Sequence, residues 1–180
     1  MEIDEQAQAE IGRIAQTLKI IVFALASGVF AFAMVVLFQG LPDPQVPLGM
    51  LTLISLFFAF GAIAASMVVP RVIATTMVRQ IAEGKSPASS GGTSNSIAPE
   101  TTAGKLAAVY PTKTIIACAL LEGAAFFALV ALMFEGHIVA LVLAAVLFIA
   151  ILLHFPTTGR VTDWVERQLR FLDEQRHLSR

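Results

Sequence analysis

The chain has 180 residues, 57% of them hydrophobic and 14% charged, and a formal net charge of −1. Soluble domains run nearer ~45–50% apolar and ~25% charged, so with a mean hydropathy of +0.79 this is a membrane composition. The near-neutral balance, with no basic stripe interleaved with aromatics, excludes a nucleic-acid partner. A single cysteine, Cys118, excludes an internal disulfide.

The first element expected is an amphipathic helix carrying Ile3, Ala7, Ile11, Ile14 and Leu18 at helical spacing. Its acids (Glu2, Asp4, Glu5, Glu10) and the full-length apolar run behind it argue against a cleaved signal peptide. Four membrane spans follow, at 20–38, 48–69, 114–134 and 138–155. Each is near the roughly 20 residues needed to cross a ~30 Å hydrocarbon core, the fourth being the shortest. Behind span two comes a second stripe, Ile73, Met77 and Ile81. Behind span four comes a third, Val161, Trp164, Val165, Leu169 and Leu172, with Trp164 where an interfacial aromatic sits. Such stripes form a membrane-surface or partner-binding platform, or they extend the spans and pack on one another; packing is the expectation.

Between the second and third spans, 84–105 is rich in Gly, Ser, Thr and Pro and is expected to be flexible, because it has too little apolar surface to offset its ordering entropy. The chain then divides into 1–83 (amphipathic helix and first hairpin), the 84–105 linker, and 106–180 (second hairpin and C-terminal amphipathic helix). The halves are weakly alike. Lys19-Ile-Ile opens span one as Lys113-Thr-Ile-Ile opens span three, Ala26-Ser27-Gly28 answers Leu121-Glu122-Gly123, and Phe38-Gln39-Gly40 answers Phe134-Glu135-Gly136. Spans two and four both run into a proline (Pro70, Pro156), then Arg-Val, then Arg-Gln. The fold class expected is all-α: an integral membrane four-helix bundle with cytoplasmic amphipathic helices, open to reading as two repeated helical hairpins.

All twelve Lys and Arg precede span one, separate spans two and three, or follow span four; none falls in the turns at 39–47 or 135–137. The positive-inside rule therefore puts both termini and the 70–113 loop in the cytoplasm, and the plasma (inner) membrane is the expected location. Small residues four apart recur in the spans, as Ala24 with Gly28, Gly61 with Ala65, Ala119 with Gly123 and Ala140 with Ala144. Such pairs let helix backbones approach closely in lipid.

One ionisable residue lies deep in a span. Glu122 is eight residues beyond Thr114, roughly 12 Å into the membrane. A carboxylate there costs at least ~2.5–3.5 kcal/mol on insertion scales, which makes it the ion-binding candidate. No Lys or Arg lies in any span to pair with it. Its expected partners are the hydroxyls of Ser27 or Ser55, with Cys118 one turn away on the same face. Elsewhere Glu135 and His137 read as a solvated outer turn, His154 as a snorkelling or capping residue, and Cys118 as an inert buried thiol. The two histidines lie at opposite ends of the spans and cannot share a metal, and no metal site or cofactor is expected. No HExxH, Walker, GxSxG or CxxC sequence is present, so an enzyme is not expected.

The stretch Thr114-Ile-Ile-Ala-Cys-Ala-Leu-Leu-Glu122-Gly-Ala-Ala-Phe-Phe-Ala-Leu-Val resembles the carboxylate-bearing helix of the c subunit (proteolipid) of rotary ATP synthases. Arg79-Gln80 is similar to that family's Arg-Gln loop. The resemblance covers about residues 113–134, and span two lacks the family's glycine-repeat pattern. It implies that Glu122 picks up and releases a proton or cation. Two functions are thus in play: a structural or accessory multi-pass membrane protein, non-enzymatic, or a proton or cation translocation component using Glu122. The partner expected in either case is the lipid bilayer, with room for a homo-oligomer or a larger membrane complex.

Overall fold

The amphipathic stripes before span one and after span two are continuous with those spans as single helices, as the extending reading has it, whereas the third stripe forms a helix of its own. A computed structural model describes residues 5–43, 49–82 and 102–178. Among these residues there are five helices and no strand: α1 (Glu5–Phe38), α2 (Met50–Ala82), α3 (Thr102–Glu135), α4 (Ile138–Leu153) and α5 (Thr158–Leu178). Pro70 and Pro111 lie inside α2 and α3. Arg79-Gln80 therefore lies in the last turns of a helix and not in a loop. Residues 102–105, expected in the linker, form the start of α3; 83–101 lie outside the described residues.

Three helices are long and apolar enough to cross a membrane, over Gln8–Phe38, Met50–Ile81 and Leu106–Glu135. The fourth, α4, has 16 residues and meets that standard only when counted with α5. Pro156, just beyond it, cannot continue a helix ladder.

Contacts gather the chain into two compact units, each drawn from both halves of the sequence. One comprises Met1–Lys19, Arg71–Lys113 and Pro156–Arg180; the other comprises Ile20–Pro70 and Thr114–Phe155. The second contains none of the twelve Lys and Arg. Its only carboxylates are Asp43, Glu122 and Glu135.

The apolar unit is built inside out relative to a soluble domain. α2 buries Thr52, Ser55, Ala59 and Ser66 while exposing Phe57, Phe58, Phe60 and Met67. Its buried hydroxyls satisfy themselves on their own helix, Ser55 donating to the Thr52 carbonyl at 2.8 Å and Ser66 to that of Ile63 at 2.8 Å. A bulky apolar exterior over a small-residue interior is what lipid demands, since tails do not drive burial of apolar groups and helix contact must come from close packing. The central helix is α3. Its Ala124, Ala125, Ala128, Leu129, Ala131 and Leu132 are all buried. Ring pairs tie it to its neighbours: Phe126 to Phe32 of α1 and Phe127 to Phe58 of α2, each with centroids 5.4 Å apart. A third pair joins Phe30 of α1 to Phe148 of α4 at 6.4 Å. Such pairs contribute roughly 0.5–1.5 kcal/mol each beyond area burial.

The expected small-residue pairs divide. Ala140 and Ala144 are buried. Gly61 and Gly123 have open space where a Cβ would stand. With Ala65 and Ala119 they line a groove of about 510 Å³ between α2 and α3, walled by Phe57 and Phe127. Those pairs leave a gap where close contact was expected.

The charged unit has a conventional core. Ile11, Ala15 and Leu18 of α1 are buried, as are Ala74 and Val78 of α2, Leu106 and Val109 of α3, and Val161 and Val165 of α5. The stripes at 11–18 and 161–165 therefore pack inside the unit as expected. On α2 the buried seam is shifted by one residue, leaving Ile73, Met77 and Ile81 half-buried.

Candidate functional site

Helix ends determine where a carboxyl can be useful. The first backbone N–H groups of any helix lack an intrahelical acceptor, and a buried helix start needs one from elsewhere. α2 begins just after Gly49, whose carbonyl accepts from Leu53 N–H at 3.1 Å and which therefore occupies the N-cap position. Glycine has no side chain to cap with. Glu135, the last residue of α3, supplies the missing acceptors. Leu51 N–H donates to Oε1 at 2.7 Å, Thr52 N–H to Oε2 at 2.8 Å, and the Thr52 hydroxyl to Oε2 at 2.7 Å. A negative group at a helix N-terminus also gains from the aligned peptide dipoles. A Cβ on Gly49 would overlap the Glu135 carboxylate, so the clamp requires glycine at this position.

The turn that delivers Glu135 is equally specific. Gly136 has φ +68 and its N–H donates to the Leu132 carbonyl at 2.8 Å, closing α3 with a left-handed glycine. A Cβ there would collide with the Pro42 carbonyl oxygen. Gly40, its counterpart in the first half, also has a positive φ, at +80, but its N–H donates to the Leu37 carbonyl three residues back, at 3.3 Å. The Phe-Gln-Gly and Phe-Glu-Gly repeats thus both mark helix stops at positive-φ glycines, with different hydrogen bonds.

Glu135 and His137 were expected to be solvated, and neither is free of the fold. Glu135 is held by α2. His137 is 7% exposed, pressed into the tight turn as the N-cap residue of α4 without a side-chain capping bond. Its Nε2 has no hydrogen-bond partner among the described residues. At the far end of α4, His154 follows expectation: it is the C-cap residue, with Nδ1 2.8 Å from the Ala150 carbonyl.

Mid-span, the polar candidates do not converge. Glu122 is half-buried on α3, its Oε1 lying 3.5 Å from where a Cβ on Gly28 of α1 would be. The bond expected to Ser27 or Ser55 is not formed. Ser27 is exposed and donates to the Phe23 carbonyl at 2.7 Å, and Ser55 is occupied with Thr52. The reason is local: a serine within a helix reaches its own i−4 or i−3 carbonyl without any help from tertiary structure. Cys118, one turn before Glu122, is fully buried. Among the described residues no group of three or more His, Cys, Asp and Glu is arranged to hold a metal ion. The groove between α2 and α3 is lined by apolar residues throughout.

Sequence reasoning thus singled out Glu122 and passed over Glu135. The signal available was weak: an Asn-, Asp-, Ser- or Thr-free helix start at Gly49-Met50 that needed a cap from another segment. Comparison with known protein families, curated proteins and solved structures finds no match.

Proposed function

We propose that this chain is an integral membrane protein of structural or accessory role, non-enzymatic, crossing the bilayer four times with α1 to α4. In this reading the charged unit and both termini lie on the cytoplasmic side of the plasma (inner) membrane, and the two hairpins are repeats of one design. The observation that carries it is the separation of charge. The unit assembled from Ile20–Pro70 and Thr114–Phe155 has no Lys or Arg, and basic residues resume at Arg71, Lys113 and Arg160 just beyond its edges. The Glu135 clamp supports a structural role, since its hydrogen bonds join helices of the two halves. Cysteine-scanning accessibility tests the topology. Labels at Gln39, Leu41 and Ile138, all exposed, should react from outside and labels near 71–82 only from inside; the reverse pattern, or reaction from both sides, would sink it.

A second reading keeps Glu122 as the carboxyl of a proton or cation translocation component. It is favoured by one fact: among the described residues Glu122 has no hydrogen bond that would make it part of the packing. Carboxyl infrared spectroscopy on wild type and Glu122→Gln in lipid separates the two. A carboxyl that exchanges its proton over the working pH range and reacts with a hydrophobic carbodiimide supports translocation. A silent, unreactive one leaves the structural reading.

A further inference from the structure

In the charged unit, five residues from two helices meet in a manner their mutual repulsion should oppose. Lys113 of α3 places its ammonium 4.3 Å from the Tyr110 ring centroid and 4.7 Å from that of Trp164 on α5. The two rings meet edge to face, 5.7 Å apart. Arg160, Trp164 and Arg167 share a face of α5 at i, i+4 and i+7. Arg167 is close enough to act electrostatically on both Lys113 and Tyr110, and Arg160 acts on Tyr110. Three cations are thus gathered around one aromatic pair.

Among the described residues neither Lys113 nor Arg167 has an acid as ion-pair partner. Glu166 is turned to Arg170, at 3.7 Å. Asp163 is exposed and, like Arg167, makes no ion pair among the described residues. The Lys113 ammonium carries three N–H donors. Among the described residues it meets ring faces and no oxygen acceptor, although it is half-buried. Ring faces attract a cation but do not replace its hydrogen bonds. Like charges held together with spare donors are the counterpart of an anion with several oxygens.

The position in the chain says which anion. Lys113 is bonded to Thr114, where the apolar unit resumes, and Arg160 follows Pro156, where that unit has ended. Trp and Tyr favour the level of lipid headgroups. Basic pockets between helices at that level suit phosphate-bearing headgroups.

We propose that Tyr110, Lys113, Arg160, Trp164 and Arg167 form a binding site for the phosphate of an anionic phospholipid. The ammonium and the two guanidiniums bond the phosphate oxygens while the aromatic pair fixes Lys113 and packs against the glycerol and upper acyl region. The site rests on the membrane reading of the chain and not on its structural or translocating role.

Trp164 is the one tryptophan, so its fluorescence reports the site directly. The full-length protein is reconstituted in phosphatidylcholine vesicles holding a small fixed fraction of brominated lipid, either phosphatidylglycerol or phosphatidylcholine. The brominated anionic lipid should quench Trp164 well beyond its mole fraction. Arg167→Gln, which leaves the ring cage intact, should weaken that preference about fivefold, and Lys113→Gln by a similar factor, as expected per cation near a charged surface. Circular dichroism confirms that each variant stays helical. Equal quenching by the two brominated lipids would overturn the proposal while leaving the membrane reading intact. So would an anionic preference untouched by Arg167→Gln in a folded protein. Inorganic phosphate that shifts Trp164 emission in pure phosphatidylcholine and abolishes the anionic preference would show a soluble phosphate ligand in place of the lipid. Failure to enter vesicles at all would overturn both readings.

Discussion

Two carboxyls hang from α3, and their surroundings differ in kind. Glu135 at the end of the helix accepts three hydrogen bonds from the start of α2. Glu122, inside the helix, lies beside Gly28 with no hydrogen bond among the described residues. The difference follows from where backbone donors are left over. At a helix start, N–H groups lack acceptors and are available to any carboxylate brought near. Mid-helix, away from proline, backbone groups are already paired within the helix. There a carboxyl can be met only by side chains, and Ser27 and Ser55 have already bonded their own carbonyls. Among the described residues the carboxyl of Glu135 is met by hydrogen bonds and that of Glu122 is not. A buried charge that packing does not explain is the one to suspect of function.

The comparison can be broken first at the glycines that hold Glu135 in place. Gly136→Ala combines a left-handed backbone with a Cβ against the Pro42 carbonyl, and should lower stability by at least ~2 kcal/mol. Reversible unfolding in mixed detergent micelles measures it; a loss under ~0.5 kcal/mol would mean the turn is not held as described. Next comes Glu135→Ala, which strands two helix-start N–H groups and a hydroxyl. The expected loss is about 2 kcal/mol, and Glu135→Gln, which keeps one acceptor oxygen, should lose about half as much. Gly49→Ala sharpens the point by a cycle. Alone it should cost about as much as Glu135→Ala, because its Cβ displaces the carboxylate; on the Glu135→Ala background it should cost little. Additive losses would show that Gly49 is needed for some reason other than the clamp.

Much of the architecture was legible in sequence because uncharged apolar runs of this length are read as helices. The apolar runs 20–38 and 114–134 fall inside α1 and α3. The matching Phe-Gln-Gly and Phe-Glu-Gly triplets both end helices at positive-φ glycines. The continuation of spans one and two into their flanking stripes was expected; the run of α3 back through Pro111 to Thr102 was not legible, since such a proline usually signals a stop, and here it does not. The clamp was not legible either. Glu135 and Thr52 are 83 positions apart, and no local pattern tells which helix start a terminal carboxylate will reach. The polar residue most visible in sequence, Glu122, was conspicuous because nothing nearby matched it; the structure leaves it unmatched.

The smallest effect expected is the most informative about Glu122. Replacing it with glutamine removes the ionisable group and preserves shape, and no described hydrogen bond is lost. Stability in lipid should change by less than ~0.5 kcal/mol, or rise slightly, because the penalty of holding a carboxyl in hydrocarbon is relieved. Ser27→Ala should be equally quiet, and the double variant should show no coupling, since the Ser27 hydroxyl serves Phe23. A loss near 2 kcal/mol for Glu122→Gln would place Glu122 beside Glu135 as a packing carboxyl and erase the distinction. A quiet result leaves the clamp as the structural carboxyl of α3 and Glu122 as a group retained for proton exchange or a partner's contact.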